Sequence, residues 1–187
     1  MSYFQSRRSA VIARKGAVAT SQPLAAQAGL QMLKDGGNAV DAAVATAAVL
    51  NVVEPTSTGI GGDMFALIWD KNERKVIALN GSGRQAAAAN VDDVRKAGYD
   101  SIPNNGPGSH FAVSVPGTVD GWETALNRYG RMTLREVLQP AIDYALNGYA
   151  VSEVIANGWQ SAESAEKLGH RPSGAQMLPG GKAPQYG

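Results

Sequence analysis

A chain of 187 residues with 44% apolar and 18% charged residues is long enough for one domain with a buried core, and too apolar for general disorder. Its net charge of +1 supplies no basic field for nucleic acid or for an anionic membrane surface, so neither is expected as a partner. The chain has no cysteine, which excludes a disulfide framework and a thiolate metal site; His110 and His170 lie too far apart in sequence to suggest an imidazole one. No metal or other cofactor is expected.

The first residues, Met-Ser-Tyr-Phe-Gln-Ser-Arg-Arg, are followed by no continuous apolar run of roughly 7–15 residues before a cleavage site, which favours a cytoplasmic location. The longest apolar stretch, Ala42 to Val53, is interrupted by Thr46 and Asn51 and falls short of the roughly 20 residues that span a bilayer.

In chain order, Ala10 to Ala13 and Ala17 to Thr20 are small, β-branched runs suited to strand pieces. Ser21 is a candidate cap for a helix that tolerates Pro23 in its first turn and ends at Gly36-Gly37. Asn38 caps the next helix, Ala39 to Val53, with Asp41 in the first turn where a carboxylate suits the helix dipole. Because Ala or Val fills most of its positions, this helix lacks a polar face and is predicted to be buried on most sides.

Val52 to Asp63 joins that helix to a strand-like run. Pro55 disfavours helix at Glu54, and Gly59, Gly61 and Gly62 permit positive φ and close backbone approach. Met64 to Trp69 and Lys75 to Leu79 read as a hairpin about the polar turn Asp70 to Arg74. A short helix is predicted over Val91 to Ala97, between Asn90 and Gly98, followed by a Gly- and Pro-rich loop over Tyr99 to Ser109 and a strand over His110 to Val115.

After Pro116-Gly117, the spacing of Val119, Trp122, Leu126 and Tyr129 predicts a helix stopped by Gly130. Thr133 and Glu136 form a capping-box pattern for Leu134 to Asn147, with a kink expected at Pro140. Ser152 caps a last helix to about Leu168, and Arg171 to Gly187 is dominated by Pro, Gly and small residues.

Five segments, in this order, carry a resemblance: Ala17-Val-Ala-Thr-Ser-Gln-Pro-Leu-Ala, Gly36-Gly-Asn-Ala-Val-Asp-Ala-Ala-Val-Ala, Asn51-Val-Val-Glu-Pro, Gly59-Ile-Gly-Gly-Asp and Val115-Pro-Gly-Thr-Val-Asp-Gly-Trp. The set resembles the γ-glutamyltranspeptidase family of N-terminal nucleophile hydrolases. The resemblance implies an α+β fold, a four-layer αββα sandwich of which residues 1–187 supply an incomplete N-terminal, large-subunit portion. It also implies a precursor that cleaves itself before a threonine, whose hydroxyl becomes the nucleophile and whose α-amine the base. That threonine lies beyond Gly187, so this chain contributes no catalytic residue, is expected to be inactive alone, and has a small subunit from the same precursor as its partner.

The resemblance further implies an arginine after the second hairpin strand that binds a substrate carboxylate, a task suited to the planar guanidinium. Here the family's Leu-Asp-x-Arg-Glu pattern is replaced by Leu79-Asn-Gly-Ser-Gly-Arg-Gln. Gapless matching puts Ser82 in the arginine's place and Arg84 two residues on. This departure, together with Asp63 where transpeptidases more often carry glycine, is similar to the side branch that includes oxamate amidohydrolase. Arg84 is the candidate substrate-binding residue, and a small carboxylate-bearing amide the expected substrate.

Other features read as structural. The glycines of Gly59 to Asp63 follow a helix and open a strand, the reverse of a phosphate-binding loop; they let the helix turn into the hairpin or line the substrate pocket, and Asp63 can serve either role. His110 reads as an exposed strand-entry residue, Trp122 and Tyr129 as core, and Asp120 and Glu123 as solvated carboxylates. The alternative to the enzyme reading is a non-catalytic binding or assembly module built on the same half-fold. In either case open sheet edges favour a partner subunit or a homo-oligomer.

Overall fold

A computed structural model of the chain describes residues 9–103, 108–169 and 174–187. Helices α1 (Pro23–Lys34) and α2 (Ala39–Val53) precede an antiparallel hairpin of β1 (Met64–Asp70) and β2 (Lys75–Gly81). Then come α3 (Val91–Lys96), α4 (Thr118–Tyr129), α5 (Leu134–Asn147), α6 (Glu153–Trp159), α7 (Ala162–Gly169) and the single turn α8 (Gly174–Met177). Among the described residues no helix is long and apolar enough to cross a membrane.

The alanine-rich α2 is the centre of the core. Nine of its residues are buried, among them Ala45, Val49 and Val53, and it packs against α1 on one side and against α4 and α5 on the other. Small residues permit this approach: a Cβ at Gly29 of α1 would lie 2.2 Å from Thr46 Oγ1 and 3.0 Å from the Ala42 carbonyl oxygen. Trp122, Leu126 and Val137 close the core from α4 and α5, as the helical spacing predicted for Trp122.

The cap of α2 is as read from the sequence and reaches further. Asn38 Oδ1 accepts from the Val40 and Asp41 N–H groups, and Asp41 returns a bond to the Asn38 N–H at 2.6 Å. The fully buried Asp41 carboxylate also accepts from the Arg131 and Met132 N–H groups, tying α2 to the turn between α4 and α5. The Thr133 and Glu136 capping box of α5 is present as well, and α5 runs through Pro140 as one helix.

Several expectations are corrected. Gln22, not Ser21, caps α1, its side chain accepting from the Leu24 and Ala25 N–H groups; Ser21 instead donates to Glu54 at the end of α2, at 2.5 Å. Ala10 to Ala13 and Ala17 to Thr20 form no strand, because among the described residues no strand lies beside them to complete a ladder. None of Gly59, Gly61 and Gly62 adopts positive φ, since the turn after α2 closes through hydrogen bonds from Ser57 and Thr58 to the Glu54 carbonyl.

His110 to Val115 is likewise not a strand. Gly108, at φ 89°, turns the chain into a 3-10 turn over Ser109–Ala112, and only Ser114 makes a bridge, to Gln85. The single helix expected from Ser152 to about Leu168 is two: Gln160 ends α6, and the Ser161 hydroxyl accepts from the Ser164 N–H as the start of α7. Part of the Tyr99 to Ser109 loop, the first eight residues and residues 170–173 lie outside the described residues.

The hairpin has two unlike faces. Met64, Ile68 and Leu79 face the helices and pack on the core. On the other face Phe65, Leu67, Trp69 and Val76 are 68%, 80%, 62% and 58% exposed, so one side of the sheet is bare and apolar.

Candidate carboxylate-binding site

The site is built where β2 ends. Gly81 and Gly121 bring the hairpin and α4 together, with a Cβ at Gly81 only 3.1 Å from Gly121 Cα. The Gly117 and Thr118 N–H groups at the start of α4 both donate to the Gly62 carbonyl at 3.1 Å. Thus the two glycine-bearing motifs, Gly59 to Asp63 and Val115 to Trp122, meet across the end of the hairpin. That contact gives both motifs a packing role.

Beyond Gly81 the chain is pinned at successive residues. The Ser82 N–H donates to Asn80 Oδ1 at 2.9 Å, and the Gly83 N–H to Asp63 Oδ1 at 3.1 Å. The Val115 N–H donates to the Arg84 carbonyl at 2.8 Å, and Gln85 bridges Ser114. The Ser114 hydroxyl donates to the same Asp63 oxygen at 3.0 Å. The Gly83 N–H foremost, then the Ser114 and Ser82 hydroxyls, hold the Asp63 carboxyl below its ordinary pKa, so it stays ionised.

Arg84 therefore has a fixed backbone and a free head. It is exposed, and among the described residues no hydrogen bond or ion pair engages its guanidinium. A guanidinium so placed can meet a carboxylate through two parallel N–H donors. Ser82, two residues earlier, is exposed as well, and its hydroxyl lies 3.5 Å from the Gly83 carbonyl oxygen.

The other sequence candidates stay apart from this point. His110 is exposed, with its ring tilted on Phe111 at 4.1 Å between centroids, and Asp120 and Glu123 lie exposed on α4. Asp63 and Ser114 are the residues that sequence reasoning did not assign to the site. The unusual carboxylate after two glycines was a signal for Asp63, but its partner lies 51 residues away and nothing local marks it.

A groove of about 920 Å³ lies elsewhere. Its wall includes Val40 and Val44 of α2, Met64, Ala66 and Ile68 of β1, and Arg128, but not Arg84. Polar and charged residues line it too, among them Asn38, Asp70, Lys71, Glu73 and Arg131.

Comparison with known proteins agrees with this architecture. The family model described as gamma-glutamyltranspeptidase matches residues 25–187. A glutathione hydrolase-like YwrD proenzyme of Bacillus subtilis is 49% identical over 143 residues, 76% of this chain and 26% of that protein. The oxamate amidohydrolase proenzyme of Klebsiella pneumoniae is 36% identical over 182 residues, 94% of this chain and 33% of its own length. The crystal structure of Helicobacter pylori gamma-glutamyltranspeptidase superposes with a TM-score of 0.84 at 33% identity, covering 96% of this chain and 51% of that one. The chain spans about a quarter to a third of the curated relatives it matches. With the matched residues running through the core helices, the hairpin and the α4 junction, the chain belongs to the γ-glutamyltranspeptidase family and carries an N-terminal part of its α+β, N-terminal nucleophile hydrolase fold.

Proposed function

We propose that this chain is the N-terminal portion of a self-processing amidohydrolase that acts on a small amide bearing a free carboxylate, with Arg84 as the carboxylate anchor. The observation that carries the reading is the free guanidinium of Arg84 on a backbone pinned at the end of β2. The relatives' names support the substrate class: glutathione and oxamate are both amides that carry carboxylates. The replacement of the transpeptidase pattern by Leu79-Asn-Gly-Ser-Gly-Arg-Gln points away from strict γ-glutamyl specificity and towards the amidase branch that includes oxamate amidohydrolase.

The nucleophile belongs to the portion beyond Gly187, as the N-terminal threonine of a small subunit. Its hydroxyl attacks the amide carbon, the amine departs with a proton, and water then releases the acid from the ester. The bare face of Phe65, Leu67, Trp69 and Val76 and the free edge of β1 are covered by the remainder of the same precursor.

The test uses the full-length protein that contains this chain, assayed on the 4-nitroanilides of γ-glutamic, glutaric and oxalic acids. At least one is expected to be hydrolysed. For the best of them, Arg84→Ala is expected to raise KM by about tenfold or more and to change kcat by less than about threefold, as loss of a binding contact requires. An unchanged KM contradicts the assignment of Arg84, and no hydrolysis of any of the three contradicts the substrate class.

A further inference from the structure

We propose that Asp63 is a positioning residue for Arg84: its carboxylate clasps the Gly83 N–H and the Ser114 hydroxyl and so sets the direction in which the guanidinium leaves the end of β2. The inference rests on the reading of Arg84 as a carboxylate anchor.

The ladder between the strands ends at the Met64 and Gly81 pair. Asp63 precedes that pair, yet its side chain reaches past it to Gly83, two residues beyond the last paired residue of β2. A carboxylate there adds nothing to the ladder itself. What it holds is the segment that follows, since Gly83 immediately precedes Arg84 and Ser114 immediately precedes Val115, whose N–H binds the Arg84 carbonyl. One oxygen of Asp63 thus grips the residues flanking that backbone bond on both of its strands.

Charge matters to the choice of residue. Acceptance by an ionised carboxylate is roughly twice as strong as by a neutral oxygen, so the clasp resists displacement when a substrate carboxylate pulls on Arg84. No ion pair joins Asp63 to the Arg84 guanidinium among the described residues, so the clasp does not neutralise the anchor it positions. The two segments are drawn close together, since a Cβ at Gly83 would lie 1.4 Å from the Val115 carbonyl oxygen.

The experiment measures kcat and KM of the full-length protein on whichever of the three 4-nitroanilides it hydrolyses best. The variants are Asp63→Ala, Asp63→Asn, Arg84→Ala and the Asp63→Ala/Arg84→Ala pair. Asp63→Ala is expected to raise KM by about fivefold to tenfold with kcat within about twofold of the parent, because binding is lost and not the chemistry. Asp63→Asn, which keeps an acceptor oxygen in place, is expected to recover KM to within about threefold. The pair is expected to bind no worse than Arg84→Ala alone, since Asp63 acts through Arg84.

The inference is overturned if Asp63→Ala leaves KM unchanged, if it lowers kcat as strongly as it raises KM, or if its effect adds in full to that of Arg84→Ala. Should Asp63→Ala fail to fold, the Asn variant decides: a KM within about threefold of the parent supports the clasp, and a rise equal to that of Arg84→Ala overturns it. A KM that Arg84→Ala itself does not move overturns the anchor reading and this inference together. A KM raised by Arg84→Ala but not by Asp63→Ala overturns this inference alone.

Discussion

Replacing Asp41 by alanine is expected to destabilise the protein by about 3 kcal/mol or more, since each buried donor left without a partner costs about 1–3 kcal/mol. The carboxylate is fully buried and accepts from three backbone N–H groups outside the regular helical ladder: Asn38 at 2.6 Å, Arg131 at 3.0 and 3.2 Å to its two oxygens, and Met132 at 3.1 Å. Gly130 lies against it so closely that a Cβ there would be 2.7 Å from Asp41 Oδ1, which leaves little room for water to substitute. The Asn38 side chain reinforces the joint by donating to the Tyr129 carbonyl at 2.6 Å. One side chain therefore starts α2 and holds the α4–α5 turn against it. Chemical denaturation of the full-length Asp41→Ala variant checks this, with Asp41→Asn, which keeps one acceptor oxygen, expected to lose less; a loss below about 1 kcal/mol would show that the three donors find other partners.

The second large effect is expected at Gly83. Its φ is ordinary, so the need for glycine is one of space: a Cβ would stand 1.4 Å from the Val115 oxygen and 2.5 Å from the Val115 carbonyl carbon, both backbone atoms with no rotamer to yield. Gly83→Ala must therefore drive the Ser82 to Gln85 segment away from Ser114 and Val115, breaking the Val115 to Arg84 hydrogen bond and the Gln85 bridge. Because the segment acts through Arg84, kcat/KM on the best carboxylate nitroanilide is expected to fall by about as much as in Arg84→Ala, about tenfold or more. Gly61→Ala is the control, because a Cβ at Gly61 meets nothing within 4 Å in this chain. Equal activity of Gly83→Ala and the parent protein would show that the segment does not place Arg84.

How far the sequence could be read depends on the range of the interactions. Asn38 and Asp41 lie three residues apart, so the cap of α2 is visible in one helical turn, and the lack of a polar face in Ala39 to Val53 foretells its burial. The hairpin is as legible, since its alternation is local. Gln22 was missed because serine is the commoner cap, and here Ser21 is drawn to Glu54, 33 residues away. The run His110 to Val115 has strand-like composition, yet the 3-10 turn that follows Gly108 takes up its first three residues before a single bridge forms. Tertiary context, not propensity, decides that segment.

The candidate site divides in the same way. Arg84 was named from the family resemblance, two residues beyond the position at which gapless matching puts Ser82. The Asp63 clasp was not, for it needs the contact between the end of the hairpin and the segment that leads into α4, and only the packing of Gly81 against Gly121 makes that contact.

The central claim, that this chain is part of a self-processing hydrolase, is tested most directly by the intact mass of the full-length protein after expression and incubation. The account predicts two fragments, the larger containing residues 1–187 and the smaller beginning with threonine. A single species at the mass of the uncleaved translation product would contradict it.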